Sequence, residues 1–203
     1  MASEGSIGAD PEIGLLTSDI ETILFIDTVN NLEIIENYRS FDITAKKIEF
    51  TEEIDIDQFL VKADFPRHKL IVRSDFGLSH VIAKGIRTKG ELMSAIAQAR
   101  EQAIDPMVIE SDLPAHCSPT RAKNIEITAE RLAKKIASLC PNCATPGRDA
   151  IQPIFGLLCL DCGEESESAA RSYFYGCLKC THTAEGEAIA ESIDSSRCNW
   201  CNP

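Results

Sequence analysis

The 203-residue chain has no excess of basic residues: 20 Lys and Arg stand against 32 Asp and Glu, a formal net charge of −12. Affinity for nucleic acid comes largely from Lys and Arg neutralising phosphates, so this balance argues against a nucleic-acid partner. Long apolar runs are missing too. No stretch reaches the ~18 apolar residues of a membrane-spanning helix, which leaves no candidate membrane segment. The opening Met1-Ala2-Ser3-Glu4-Gly5 carries neither a basic n-region nor an apolar h-region, so no secretory signal is visible. A reducing, cytoplasmic setting is therefore expected, where clustered cysteines serve as metal ligands rather than disulfides.

What the chain does have is cysteine in a pattern. Eight of its nine cysteines form four Cys-x-x-Cys pairs: Cys140/Cys143, Cys159/Cys162, Cys177/Cys180 and Cys198/Cys201, with 15, 14 and 17 residues between successive pairs. A two-residue gap lets both thiolates of a tight turn face one metal, and two such turns complete a tetrahedral site. The spacing falls in the range of zinc sites. Disulfides or redox pairs are the alternative. Four pairs in an acidic, turn-rich segment without strand–CxxC–helix context argue against them, while iron remains chemically possible. Two structural Zn²⁺ ions are thus expected. Sequential pairing is favoured, with Cys140, Cys143, Cys159 and Cys162 on one ion and Cys177, Cys180, Cys198 and Cys201 on the other. Gly176-Cys177-x-x-Cys180 followed by a later pair resembles the knuckles of rubredoxin-like sites, although crossed and nested arrangements stay open. Four protein thiolates per ion leave no position for water, so the sites read as structural.

From Cys140 onward, four Arg and Lys face nine Asp and Glu, which gives −5. Two zincs on eight thiolates add −4 and bring the module to −9. That charge disfavours phosphate backbones and leaves packing or a protein partner for Tyr173, Phe174, Tyr175 and Trp200.

Hydrophobic residues make up 44% of the chain, enough for one medium domain plus an appendage. Residues 1–14 read as a loop rich in Gly, Ser and Asp. Ile20–Asp27 and Leu32–Tyr38 flank the turn at Val29-Asn30-Asn31 as a hairpin, and Thr44–Phe50 supplies a third strand. Glu52–Ala63 has helical spacing. Lys69–Arg73 and His80–Ala83 are short strands around a turn at Asp75–Ser79. Thr88 and Glu91 form a capping box that opens a helix to about Ala103. Met107–Glu110 is another strand. Ser118-Pro119 starts a helix whose stripe carries Ile125, Ala129, Leu132, Ile136 and Leu139. The expected architecture is α+β, a small mixed sheet with two to three helices over residues 1–139, followed by a double zinc ribbon over 140–203.

Candidate chemistry upstream of Cys140 concentrates in Glu110-Ser111-Asp112-Leu113-Pro114-Ala115-His116-Cys117-Ser118-Pro119-Thr120-Arg121, a strand-to-helix loop of the kind that carries sites in α/β folds. Glu110, Asp112 and His116 are candidates to bind metal or act as acid and base, and Arg121 to hold phosphate. The structural reading makes Asp112 a cap, His116 a partner of backbone carbonyls and Arg121 half of an ion pair. Cys117 has no CxxC partner and reads as a small buried residue or a nucleophile. Ser3, Glu4, Gly5 and Ser6 are candidates to cradle an anion through backbone N–H groups, and Lys84 to add a cation.

The Ala2–Gly8 segment, the Glu110-x-Asp112-x3-His116-x2-Pro119-Thr120-Arg121 pattern and the four Cys pairs ending in Cys201-Asn202-Pro203 resemble an uncharacterised bacterial family with no assigned activity. The likeness covers essentially the whole chain. Members extend further at the N-terminus, so the resemblance implies a shortened chain here. The longer form is similar, in fold alone, to nucleoside-triphosphate pyrophosphatase-like proteins. Two functions are therefore in contention. One is a cytoplasmic zinc-binding protein whose ribbons stabilise the fold and dock a protein partner. The other is a metal-dependent hydrolase of a phosphorylated or nucleotide ligand. Convergence of Glu4, Glu110, Asp112, His116 and Arg121 on one pocket would separate them.

Overall fold

In the computed structural model, which describes residues 1–75 and 80–203, the Asp27 carboxylate accepts hydrogen bonds from the backbone N–H groups of Val29 (2.9 Å) and Asn30 (3.0 Å). This Asx turn closes the expected hairpin between β2 (Thr17–Asp27) and β3 (Leu32–Ser40). The N-terminal residues are not a loop. Ala2–Ala9 form strand β1, antiparallel to β2 with Ala2 opposite Leu24 and Ala9 opposite Thr17, on the edge of a three-stranded sheet ordered β1-β2-β3. Most β1 side chains are exposed, so the backbone ladder rather than apolar burial holds the strand. A strand of that kind leaves no period-two hydrophobic signal in its sequence.

The chain divides into two compact units, Met1–Leu24 with Ile35–Ala129, and Phe25–Ile34 with Glu130–Pro203. The first unit adds a four-stranded sheet of β4 (Lys47–Phe50), β5 (Leu70–Ser74), β6 (Val81–Ile86) and β7 (Met107–Ser111). Its order is β4-β7-β5-β6 and every neighbour is antiparallel. Helices α1 (Ile56–Lys62) and α2 (Lys89–Glu101) join its core. Phe59 and Leu60 of α1 and Leu92, Ile96 and Ala99 of α2 share one buried cluster with Leu70, Val72, Met107 and Ile109. Each large side chain so buried contributes about 1.5–3 kcal/mol. The Thr88–Glu91 capping box forms as expected, with Glu91 N–H donating to Thr88 Oγ1 and Thr88 N–H to Glu91 Oε2, both at 3.1 Å. The turn expected at Asp75–Ser79 lies, from residue 76 on, outside the described residues.

Helix α3 (Pro119–Ala137) starts where Ser118-Pro119 placed it, but its buried face keeps only part of the expected apolar stripe. Asn124, Thr128 and Leu132 are the buried positions, whereas Leu139 is exposed. Polar residues enter this face because partners meet them: Asn124 Nδ2 donates to Asp19 Oδ2 (2.8 Å) and to the Asp42 carbonyl (3.1 Å).

In the second unit, β11 (Ser172–Gly176) pairs antiparallel with β8 (Asp149–Ile154) and β12 (Thr183–Glu185). Strand β9 (Leu157–Cys159) pairs with β10 (Glu165–Ser166) and, in parallel, with β13 (Ser192–Ile193). The small core here is Leu157, Cys159, Ile193 and Cys198, so half of it is cysteine. Gly147 has φ +86°, and a Cβ there would meet Leu178 Cδ1 at 2.7 Å and Ile34 Cδ1 at 2.9 Å. Only glycine provides both that backbone angle and that space. The fold is α+β, with three α-helices and several small sheets among the described residues, and no described helix is long and apolar enough to cross a membrane.

Candidate metal centres

All eight paired cysteines gather in two sets of four, each with its sulfurs within 4.8 Å of one another. The sets are Cys140, Cys143, Cys177 and Cys180, and Cys159, Cys162, Cys198 and Cys201. This corrects the sequential pairing: the first Cys-x-x-Cys joins the third, and the second joins the fourth. The gap lengths could not decide it, because loops of 15, 14 and 17 residues close either arrangement at nearly equal entropic cost. What decides it is strand pairing. Strand β11, which leads into Cys177, pairs with β8 after Cys143. Strand β13, just before Cys198, pairs with β9, which ends in Cys159.

The sulfur spacing fits a tetrahedral ion. Metal–sulfur bonds of about 2.3 Å require sulfur–sulfur edges of about 3.8 Å. The first set shows 3.7 Å for Cys140–Cys180, 3.5 Å for Cys143–Cys177 and 3.6 Å for Cys143–Cys180. The second shows 3.8 Å for Cys159–Cys201 and 3.9 Å for Cys162–Cys198. A disulfide would place its sulfurs about 2 Å apart, and all nine cysteines are free.

The turns also stabilise thiolate. Backbone N–H groups of Cys180 and Lys179 point at Cys177 Sγ and bring its pKa down to about 6. Those of Cys162 and Asp161 bring Cys159 down to about 7. The Thr145 hydroxyl, and then its N–H, lower Cys143. Cys201 goes the other way, to about 12, because the neighbouring Cys162 sulfur and burial both favour its thiol. Within each set some sulfurs shed protons readily and others hold them until a cation arrives to share the charge. Each set can hold a metal ion with protein thiolates alone.

The strand-to-helix loop does not gather its candidates into one site. Glu110 on β7 receives the Arg73 guanidinium on both oxygens, at 2.7 and 3.0 Å. Arg121 donates from Nε to Glu21 Oε1 (2.7 Å) and from Nη1 to the Leu113 carbonyl (3.2 Å). Glu4 is exposed on β1. Asp112, buried, accepts from Gly85 N–H at 2.7 Å. It shares one pocket with the exposed His116, and Lys69, Lys84 and Arg87 line the same pocket. Cys117 is buried there, and burial, followed by the nearby Asp112 carboxylate, pushes its thiol up, away from a nucleophile's range.

Ser3, Glu4, Gly5 and Ser6 form no anion-cradling loop. They lie extended opposite Ile23, Thr22, Glu21 and Ile20 in the β1–β2 ladder, whereas a backbone nest needs a turn conformation. Gly5 serves another end: a Cβ there would overlap the Glu21 carboxylate and the Arg121 guanidinium. Sequence reasoning missed Lys69 and Arg87, as well as Glu21 and the buried His68. His68 Nε2 accepts from Thr120 N–H (3.4 Å), a donor in the first turn of α3, while Nδ1 meets Asp64 Oδ2 (3.1 Å). No motif marks these residues; a buried acid in an alternating strand was the one available sign.

Comparison with family models gives one match, to a family described as a domain of unknown function (DUF6671), over residues 1–203. Neither the curated proteins nor the solved structures give a match.

Proposed function

We propose that this chain, which belongs to the DUF6671 family, is a cytoplasmic zinc-binding protein whose C-terminal region is held folded by two structural Zn²⁺ ions and docks a protein partner. The observation that carries the metal reading is the sulfur–sulfur spacing, 3.5–3.9 Å across two complete sets of four. Zinc matches it because a d¹⁰ ion accepts tetrahedral thiolates without redox chemistry. Cys140, Cys143, Cys177 and Cys180 would hold one ion, and Cys159, Cys162, Cys198 and Cys201 the other. With four protein ligands there is no open position for water or substrate, so the ion supplies folding energy. The thin core of this unit makes that contribution large. Elemental analysis of the purified chain is expected to give two zinc ions per molecule. Chelation is expected to abolish the chemical-shift dispersion of residues after Glu130. One ion, or iron in place of zinc, overturns the reading.

The partner reading rests on one face. Trp200 is 64% exposed and Phe155 44%. With Glu164, Glu165 and Glu167 they line a cleft of about 500 Å³, and Trp200 Nε1 donates to the Glu165 carbonyl at 2.9 Å, which fixes the ring. Aromatic walls under carboxylates suit a Lys- or Arg-bearing segment of a partner. Tyr175 is already taken, since the Arg148 guanidinium stacks on it 4.8 Å from the ring centroid. Trp200 is the single tryptophan of the chain, so its fluorescence reports directly. An Arg/Lys-rich peptide is expected to shift it saturably, and calorimetry is expected to show that binding is lost in Trp200→Ala. An unresponsive Trp200 overturns the docking face.

A further inference from the structure

The geometry points to a second binding site, in the first unit, for a small phosphate monoester, held by Lys69, Lys84 and Arg87 without chemistry being done on it. A pocket of about 390 Å³ is lined by these three cations together with Asp112, His116 and Cys117. In a chain of net charge −12 this concentration of positive charge stands out. Many cations of this chain are matched: Arg73 with Glu110, Arg121 with Glu21, Lys89 with Asp57 and Lys47 with Asp75. Lys69, Lys84 and Arg87 form no ion pair with any described residue. Lys69 Nζ donates instead to the His116 carbonyl (3.0 Å), which points the ammonium along the pocket wall.

The carboxylates nearby are committed elsewhere. Asp112 Oδ2 accepts from Gly85 N–H, and its charge also bears on the buried Cys117 thiol. Glu91 Oε2 accepts from the backbone N–H groups of Arg87 (2.8 Å) and Thr88 (3.1 Å) in the α2 cap. Buried Asp112 pins the Lys84-Gly85 backbone between the cations, and its single negative charge leaves the three cations of the pocket in excess. Gly85 has φ +66° and open space where a Cβ would stand. His116 and Cys117 lie just before α3, whose positive end adds to the field.

The organic part of the ligand follows from the neighbouring cavity. Lys84, Gly85 and Arg87 also line a second pocket of about 430 Å³, which continues over Ala83, Ser94 and Gln98. Apart from Glu91 its remaining lining is neutral. A groove with a cationic compartment and a neutral, hydrogen-bonding one fits an anionic group joined to a polar body. A phosphate dianion matches Lys and Arg better than a carboxylate does, through its charge and its three acceptor oxygens.

The test is an amide-resolved NMR titration of the full zinc-loaded chain with ribose 5-phosphate, inorganic phosphate, and sodium chloride at matched ionic strength. Saturable shifts at Gly85 and Lys84 are expected with ribose 5-phosphate at a Kd of about 1 mM or tighter, and weaker binding with inorganic phosphate. Lys84→Glu/Arg87→Glu changes two exposed, unpaired side chains and is expected to weaken binding at least about tenfold. Lys123→Glu/Lys134→Glu, with the same charge change elsewhere, is expected to leave it intact. Linear shifts, equal shifts with chloride, or equal loss in both variants overturn the site. Inorganic phosphate binding as tightly as the ester overturns the assignment of the neutral compartment. Should the Glu variant lose dispersion, Lys84→Gln/Arg87→Gln carries the same test.

Discussion

Arg121 stands in the first turn of α3, where the helix dipole disfavours a cation. It is kept there by Glu21, a nearly fully buried carboxylate on β2. Burial pushes the Glu21 carboxyl above its ordinary range, and the guanidinium pulls it back. Taking the arginine away leaves burial unopposed. Arg121→Met is therefore expected to destabilise the first unit by about 3–5 kcal/mol near pH 8. In the variant, folded Glu21 keeps a proton that the unfolded chain has released, so stability falls as pH rises, and the deficit narrows toward about pH 5. Urea unfolding at both pH values measures this, and an equal deficit at the two would mean that Glu21 is not the partner that matters.

At the scale of elements, α2 shows local rules and tertiary fit in agreement. Its Thr88 cap and Glu91 were readable from four residues of sequence, and both hydrogen bonds form. Thr88→Ala is expected to cost about 1 kcal/mol. The N–H groups of Arg87 and Thr88 hold the Glu91 carboxyl below its usual range. Its stabilising effect is thus complete above the unfolded value of about 4.3 and is lost as pH falls through the lower folded value. Glu91→Gln is expected to show a shallower loss of helix signal between about pH 5 and pH 3; an unchanged acid profile counts against it. In α3 the two levels part. The apolar stripe from Ile125 to Leu139 is a sound helical signal, yet Asn124 and Thr128 are buried beside Leu132, because Asp19 meets Asn124 and the Thr128 hydroxyl donates to the Asn124 carbonyl, partners that sequence periodicity cannot register.

For the whole molecule, the interleaved metal sets matter most. Cys159 and Cys162 lie in the loop that the first set closes, and Cys177 and Cys180 in the loop that the second set closes. Neither centre can be cut out as a contiguous piece. An ion in either set would restrict a segment that carries ligands of the other, so losing one is expected to weaken the other. Paired serine variants give a direct check. Cys140→Ser/Cys159→Ser damages both sets and is expected to leave no tightly bound zinc. Cys140→Ser/Cys177→Ser damages one set and is expected to keep one ion. Sequential pairing predicts the reverse order in metal analysis.

Read alone, the sequence determined whatever depends on short spacing. The eight candidate thiol ligands, the capping box, the turn at Val29-Asn30-Asn31 and the strands β2 to β7 follow from groups a few residues apart, whose geometry the backbone itself dictates. Tertiary structure decided everything that depends on which distant segments meet. It crossed the metal sets through the β8–β11 and β9–β13 pairings, and it turned Ser3–Ser6 from a loop into an edge strand through the ladder with β2. It gave Glu110 to Arg73 and Arg121 to Glu21, and set Lys69 and Arg87 around Asp112. Loop closure is nearly indifferent to such choices, so side-chain burial and backbone pairing across the fold had to make them.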